Sequence, residues 1–153
     1  MAEDFATAAA RFCSVIEGGG APRAWVGKVE VALSDVYASA LRLPSVGSIS
    51  ALPVVRMSSD EWSALYAALG SMIGDDDRYW RMADPSDGAS AVSSSLADDL
   101  AEIYRSLRSG LEAMRSGAPP DDVLFEWRAS FELHWATHAI GALSALRSLQ
   151  RNL

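Results

Sequence analysis

Residues 96–117, LADDLAEIYRSLRSGLEAMRSG, decide the fold. Leu96, Leu100, Ile103, Leu107, Leu111 and Met114 recur in them at three- and four-residue spacing, while Asp98, Glu102 and Arg105 take another side. That period belongs to an amphipathic helix, with one apolar stripe for a core and a polar remainder. Gly117 ends the segment. Pro119 and Pro120 then open the last helix, with Asp121 and Asp122 in its first turn, where negative charge is favoured.

The same period extends through most of the chain. Phe5, Ala9, Phe12 and Ile16 form the stripe of a first helix that Gly18, Gly19 and Gly20 stop. Pro22 opens a second helix with Trp25, Val29, Val36, Ala40 and Leu43 on one side, ended by Pro44. Residues 44–57, PSVGSISALPVVRM, read as a long loop laid over the helices by Ile49, Leu52, Val54 and Val55. Ser58 and Glu61 then supply a capping box for a third helix that buries Trp62, Leu65, Leu69 and Met72 and closes at Gly74. Asp75, Asp76 and Asp77 suit the N-terminus of a short helix over Arg78–Ala83, and Asp84–Ser95 is loop-like in composition. The last helix carries Leu124, Trp127, Phe131, Ala142, Ala145 and Leu149 on one face. The pattern predicts an all-α chain, residues 1–153 forming one antiparallel helical bundle of five main helices and one short helix.

Half of the 153 residues are hydrophobic, enough to bury a core and to exclude a disordered chain. The formal charge of −7 lacks the basic footprint of a nucleic-acid or anionic-membrane binder. Cys13 is the one cysteine, so no disulfide forms within the chain. No apolar run reaches the ~20 residues of a membrane span. Glu3 and Asp4 stand where a secretory leader carries positive charge, so a cytoplasmic location is expected.

Four stretches carry a family likeness: Phe5-x-x-x-Ala9-x-x-Phe12-Cys13-x-x-Ile16-Glu17; Val36-Tyr37-Ala38-x-Ala40-Leu41-x-Leu43-Pro44; Asp98-Asp99-Leu100-Ala101-Glu102-Ile103-Tyr104-x-x-Leu107; and Phe131-x-x-His134-Trp135-x-x-His138. In this order the chain resembles the bacterial domain-of-unknown-function family 5063, small all-helical proteins of similar length. It departs at Ser106, where the pattern carries an acidic residue after the tyrosine, so no role resting on a carboxylate there transfers. The resemblance implies an all-helical fold and no established activity.

The residues themselves offer a short list. His134 and His138, four apart, project from one side of the last helix, within its apolar stripe. The ordinary reading is two core histidines, each bonded to a carboxylate or carbonyl across the bundle. The sharper one is a divalent-metal or hydrolytic site of His134, His138 and Asp99; Trp135 in place of a glutamate excludes the zinc-protease motif. Asp99 borders the apolar stripe and is placed to orient an imidazole, whereas Asp98, Glu102 and Arg105 read as a solvated charge ladder. Cys13 beside Phe12 reads as a buried thiol rather than a nucleophile. Arg128 and His134, six apart, only loosely echo the Arg/His pair of helical ribonucleases and point in different directions. Tyr79, Trp80 and Arg81 are of the types that interfaces favour.

The leading expectation is a non-enzymatic protein-interaction or regulatory module with a protein partner, acting near Trp80. It takes no cofactor, nucleic acid or membrane, and its spare apolar faces would admit a homodimer. A metal-binding or hydrolytic site at His134, His138 and Asp99 is the alternative.

Overall fold

A computed structural model describes residues 2–47, 56–88 and 91–153. The segment that carries Ile49, Leu52, Val54 and Val55 lies outside the described residues. The first helix, α1 (Ala2–Gly18), buries Phe5, Ala9, Phe12, Cys13 and Ile16. It stops where Gly19 and Gly20 take positive φ values of 57° and 134°. The next, α2 (Pro22–Ala40), starts on its proline and buries Trp25, Val29, Leu33 and Val36. The capping box of α3 (Ser59–Ile73) is complete: Glu61 N–H donates to Ser58 Oγ at 3.2 Å, and Ser58 N–H donates to Glu61 Oε2 at 2.8 Å.

A 3-10 turn, Gly74–Asp77, follows, and here the expected short helix gives way to a hairpin. Strand β1 (Arg78–Met82) pairs antiparallel with β2 (Ala91–Ser95), with Arg78 opposite Ser95 and Trp80 opposite Ser93. One of the three aspartates read as a helix start does another job. Asp77 accepts from Ser95 Oγ and from Ala97 N–H, each at 2.7 Å, and so braces the start of the next helix. RYWRM alternates instead, Tyr79 and Arg81 half-buried against Arg78, Trp80 and Met82 exposed. That is the period-two pattern of a strand with one face covered.

The helix first read from the sequence, α4 (Leu96–Arg115), is capped by Ser95 and packs against α1, α3 and the two later helices. Those are α5 (Pro120–Ser130) and α6 (Ala136–Asn152), joined without a break by a π-helical turn, Phe131–Trp135, in which Ala136 N–H reaches Phe131 C=O. The buried row here is Trp127, Phe131, Trp135 and Ala139, one residue in every four. An α-helix of 3.6 residues per turn rotates such a row by about 40° per step. The wider π turn absorbs that drift and keeps the row on the core. The chain is therefore mostly helical, with one small two-stranded sheet. Among the described residues no helix is long and apolar enough to cross a membrane.

Gly110 on α4 lies flat against Trp127, whose indole N–H donates to Leu107 C=O at 3.3 Å, and a Cβ at Gly110 would overlap the indole ring. Overpacking of this kind costs typically about 1–3 kcal/mol. Gly110→Ala is expected to lower stability by that amount in urea denaturation, and an unchanged midpoint would show that the contact is looser than described.

Candidate functional site

Asp99 and Glu102, three apart on α4, lie on the side that faces the last helix, and the π turn sets two imidazoles opposite them. His138 Nδ1 is 2.6 Å from Asp99 Oδ1, and His134 Nε2 is 3.0 Å from Glu102 Oε2. The rings meet edge to face, their centroids 4.8 Å apart. Each carboxylate has a further partner. Tyr79, from the inner side of β1, donates its hydroxyl to Asp99 Oδ2 at 2.5 Å, and the Arg105 guanidinium bonds to Glu102. Gly141 on α6 lets the hairpin come this close, since a Cβ there would overlap the Tyr79 hydroxyl.

The histidines are not core residues. The His134 side chain is 45% exposed and His138 is half-buried, because the π turn places Trp135 in the core where the α-helical reading had placed His134. The carboxylate partners expected for them are present, as the buried Asp99 and Glu102 on α4, and meet the imidazoles at the edge of the bundle rather than in its core. Asp99 meets His138 and not His134. Glu102 departs from the solvated ladder: it is buried between His134 and Arg105, and only the Arg105 pairing is as expected. Asp98 is half-buried.

Beside His138 a cavity of about 290 Å³ opens to solvent, lined by Tyr66, Arg78, Arg81, Ser93, Ser94, Ser95, Asp98, Asp99 and His138. Arg81 Nε–H donates to Ser94 Oγ at 2.9 Å, which fixes the plane of its guanidinium. One ligand atom each from Asp98, Asp99 and His138 lies within 4.8 Å of the others. The hydrogen bond to Asp99 raises the His138 pKa, opposed by burial and helped by the charges of Asp99, Asp98 and Glu102. Burial raises the Asp98 carboxyl, and the neighbouring Glu102 and Asp99 raise it further. Burial, then the bond to Asp99, pushes the Tyr79 phenol well above its usual range, so it remains a neutral donor. A buried polar network with shifted titrations at a π turn is a common setting for a functional site.

The remaining candidates sit elsewhere. Cys13 is buried, its thiol pushed up to about 12 chiefly by burial, and the charges it senses are Glu17, Arg108 and Arg115. The Arg128 guanidinium is spent on the Leu43 carbonyl and on Glu132, 2.8 Å away. Trp80 is 73% exposed on the outer face of β1, while Tyr79 turns inward to Asp99 and Arg81 lines the cavity. The sequence reading gave Tyr79 no link to Asp99 and overlooked Arg78. The alternation of RYWRM was the signal available for the first.

The family model "Domain of unknown function (DUF5063)" matches residues 1–152, and the chain belongs to that family. No curated protein matches it. Among solved structures, the crystal structure of protein BF1032 from Bacteroides fragilis, a structural-genomics target, is similar. The TM-score is 0.82 at 21% identity, over 95% of this chain and 89% of that one. That likeness shows a shared fold.

Both His138 and Asp98 titrate above their ordinary values in the folded chain. A raised folded pKa contributes stability that is fully present below the unfolded value and lost as pH rises through the folded one. Stability should therefore fall from the ordinary carboxylate range upward for Asp98, and from about pH 6.5 upward for His138. In an NMR titration His138 should show a midpoint above that of a free imidazole, and Asp99→Asn should bring it down. An equal midpoint in the two proteins would remove Asp99 as the cause.

Proposed function

We propose that the chain binds a divalent cation through Asp98, Asp99 and His138. The observation that carries this reading is the approach of three ligand atoms, from α4 and α6, on the wall of an open polar cavity. Two carboxylates and an imidazole suit a borderline divalent ion such as zinc or manganese. Bond lengths of about 2.0–2.2 Å put two ligands of one ion at most about 4.4 Å apart, so a small side-chain rotation completes the set. The Tyr79 hydroxyl on the second oxygen of Asp99 is the kind of outer contact that orients a ligating carboxylate. The cation would relieve the repulsion that Asp98 feels from Glu102 and Asp99. Three protein ligands leave a position open to the cavity, as a hydrolytic centre requires. Asp98 stands in this set where His134 is expected from the sequence, and His134 is engaged by Glu102 instead.

A second reading, an interaction or regulatory module, is favoured by one feature: Trp80 and Met82 lie exposed side by side on the outer face of β1. A protein partner or a second copy of the chain would cover that face. On this reading Trp80→Ala abolishes co-purification of a partner from the source cells while changing stability by less than about 0.5 kcal/mol. Retention of the partner by the variant contradicts it.

For the metal, the protein is supplied with zinc or manganese, purified without chelator and measured by native mass spectrometry and elemental analysis. One ion per chain is expected, lost in Asp98→Asn and in His138→Ala and kept in His134→Ala, with helical circular dichroism unchanged. Background metal in the unaltered protein overturns the reading.

A further inference from the structure

The cavity beside the proposed cation site carries two arginines, Arg78 and Arg81, that make no ion pair among the described residues. Among the described residues, Arg11, Arg105, Arg108, Arg115, Arg128 and Arg147 each have a carboxylate within 4.0 Å, while Arg78 and Arg81, like Arg23, Arg42, Arg56 and Arg151, have none. Arg81 spends only its Nε–H, on Ser94 Oγ, which leaves both terminal NH₂ groups of an oriented guanidinium for another acceptor. Arg78 opens the same strand, and both line the cavity with Ser93, Asp98 and His138. The Asp98 carboxylate likewise has no ion pair among the described residues, so the cavity presents unpaired charge of both signs.

We propose that this cavity takes a compact oxyanion, a phosphate or carboxylate group, which Arg78 and Arg81 hold against the cation at Asp98, Asp99 and His138. The inference rests on the metal reading of the same site and names the ligand that the site receives. A planar guanidinium matches two oxygens of a phosphate or carboxylate at once. About 290 Å³ is at the lower end of small-ligand cavities, which favours a small ligand or the charged head of a larger one. Without the cation, Asp98 and Asp99 repel the anion; with it the site is electrostatically complete, so anion affinity is coupled to metal occupancy.

Inorganic phosphate and, separately, acetate are titrated calorimetrically into the full chain, with and without one equivalent of manganese, at ionic strength held constant with chloride. One phosphate or acetate per chain is expected, bound more tightly with manganese present; the tighter of the two identifies the head group. Losing one charged hydrogen-bonding partner weakens such binding by about tenfold or more. Arg81→Ala and Arg78→Ala should each show that loss and still bind manganese, whereas Arg42→Ala, outside the cavity, should behave as the unaltered protein. Manganese bound with no saturable uptake of either anion, or equal uptake in the Arg78 and Arg81 variants, overturns this inference alone. Absence of manganese binding overturns the metal reading and the coupling with it.

Discussion

Asp99 places a carboxylate where only 4% of the residue meets solvent, and the arrangement around it follows from what that requires. A buried carboxylate without partners is among the costliest features a fold can carry, and removing one partner from such a group is strongly destabilising. Here its two oxygens go to different elements, Oδ1 to His138 on α6 and Oδ2 to Tyr79 on β1. One side chain of α4 therefore ties the last helix and the hairpin to each other. Gly141, smooth enough to sit under the Tyr79 hydroxyl, and Arg81 bonded to Ser94 complete the seat of the hairpin. The cavity exists because the hairpin is held at this position and not elsewhere.

The π turn is the other half of the arrangement. The core demands bulky residues at Trp127, Phe131 and Trp135, a row that a regular α-helix would turn away from α4. One wider turn satisfies the row, and in doing so brings His134 and His138 to the surface opposite Glu102 and Asp99. The packing demand of the core and the geometry of the site are thus met by the same departure from α-helical register. Trp135, fully buried, and His134, exposed beside it, are the two consequences in adjacent residues.

Much of this was legible in the sequence. The stripes of α1, α2 and α4 are long and regular, and caps such as Ser58 with Glu61 are local chemistry, so periodicity and spacing suffice for them. The proximity of Asp99 to an imidazole also follows from its place at the edge of the α4 stripe. The hairpin is a different case. Five residues of β1 give barely two periods, β2 is mostly serine and resembles a loop, and the preceding aspartates imitate a helix start while Asp77 in fact braces α4. The π turn was hidden for another reason: a slip of one residue leaves the composition untouched and exchanges only which neighbour, His134 or Trp135, faces inward. Glu102 was misjudged with it, since its burial depends on where His134 goes.

The claim on which the rest depends is that Asp99 joins the hairpin and the last helix. Amide hydrogen exchange, followed by mass spectrometry on the unaltered chain and on Asp99→Asn, tests it most directly. Protection should fall in Arg78–Met82, in Ala91–Ser95 and around His138, while α1 and α2 keep theirs. Unchanged protection of the hairpin, or a uniform loss across every helix, would contradict the account.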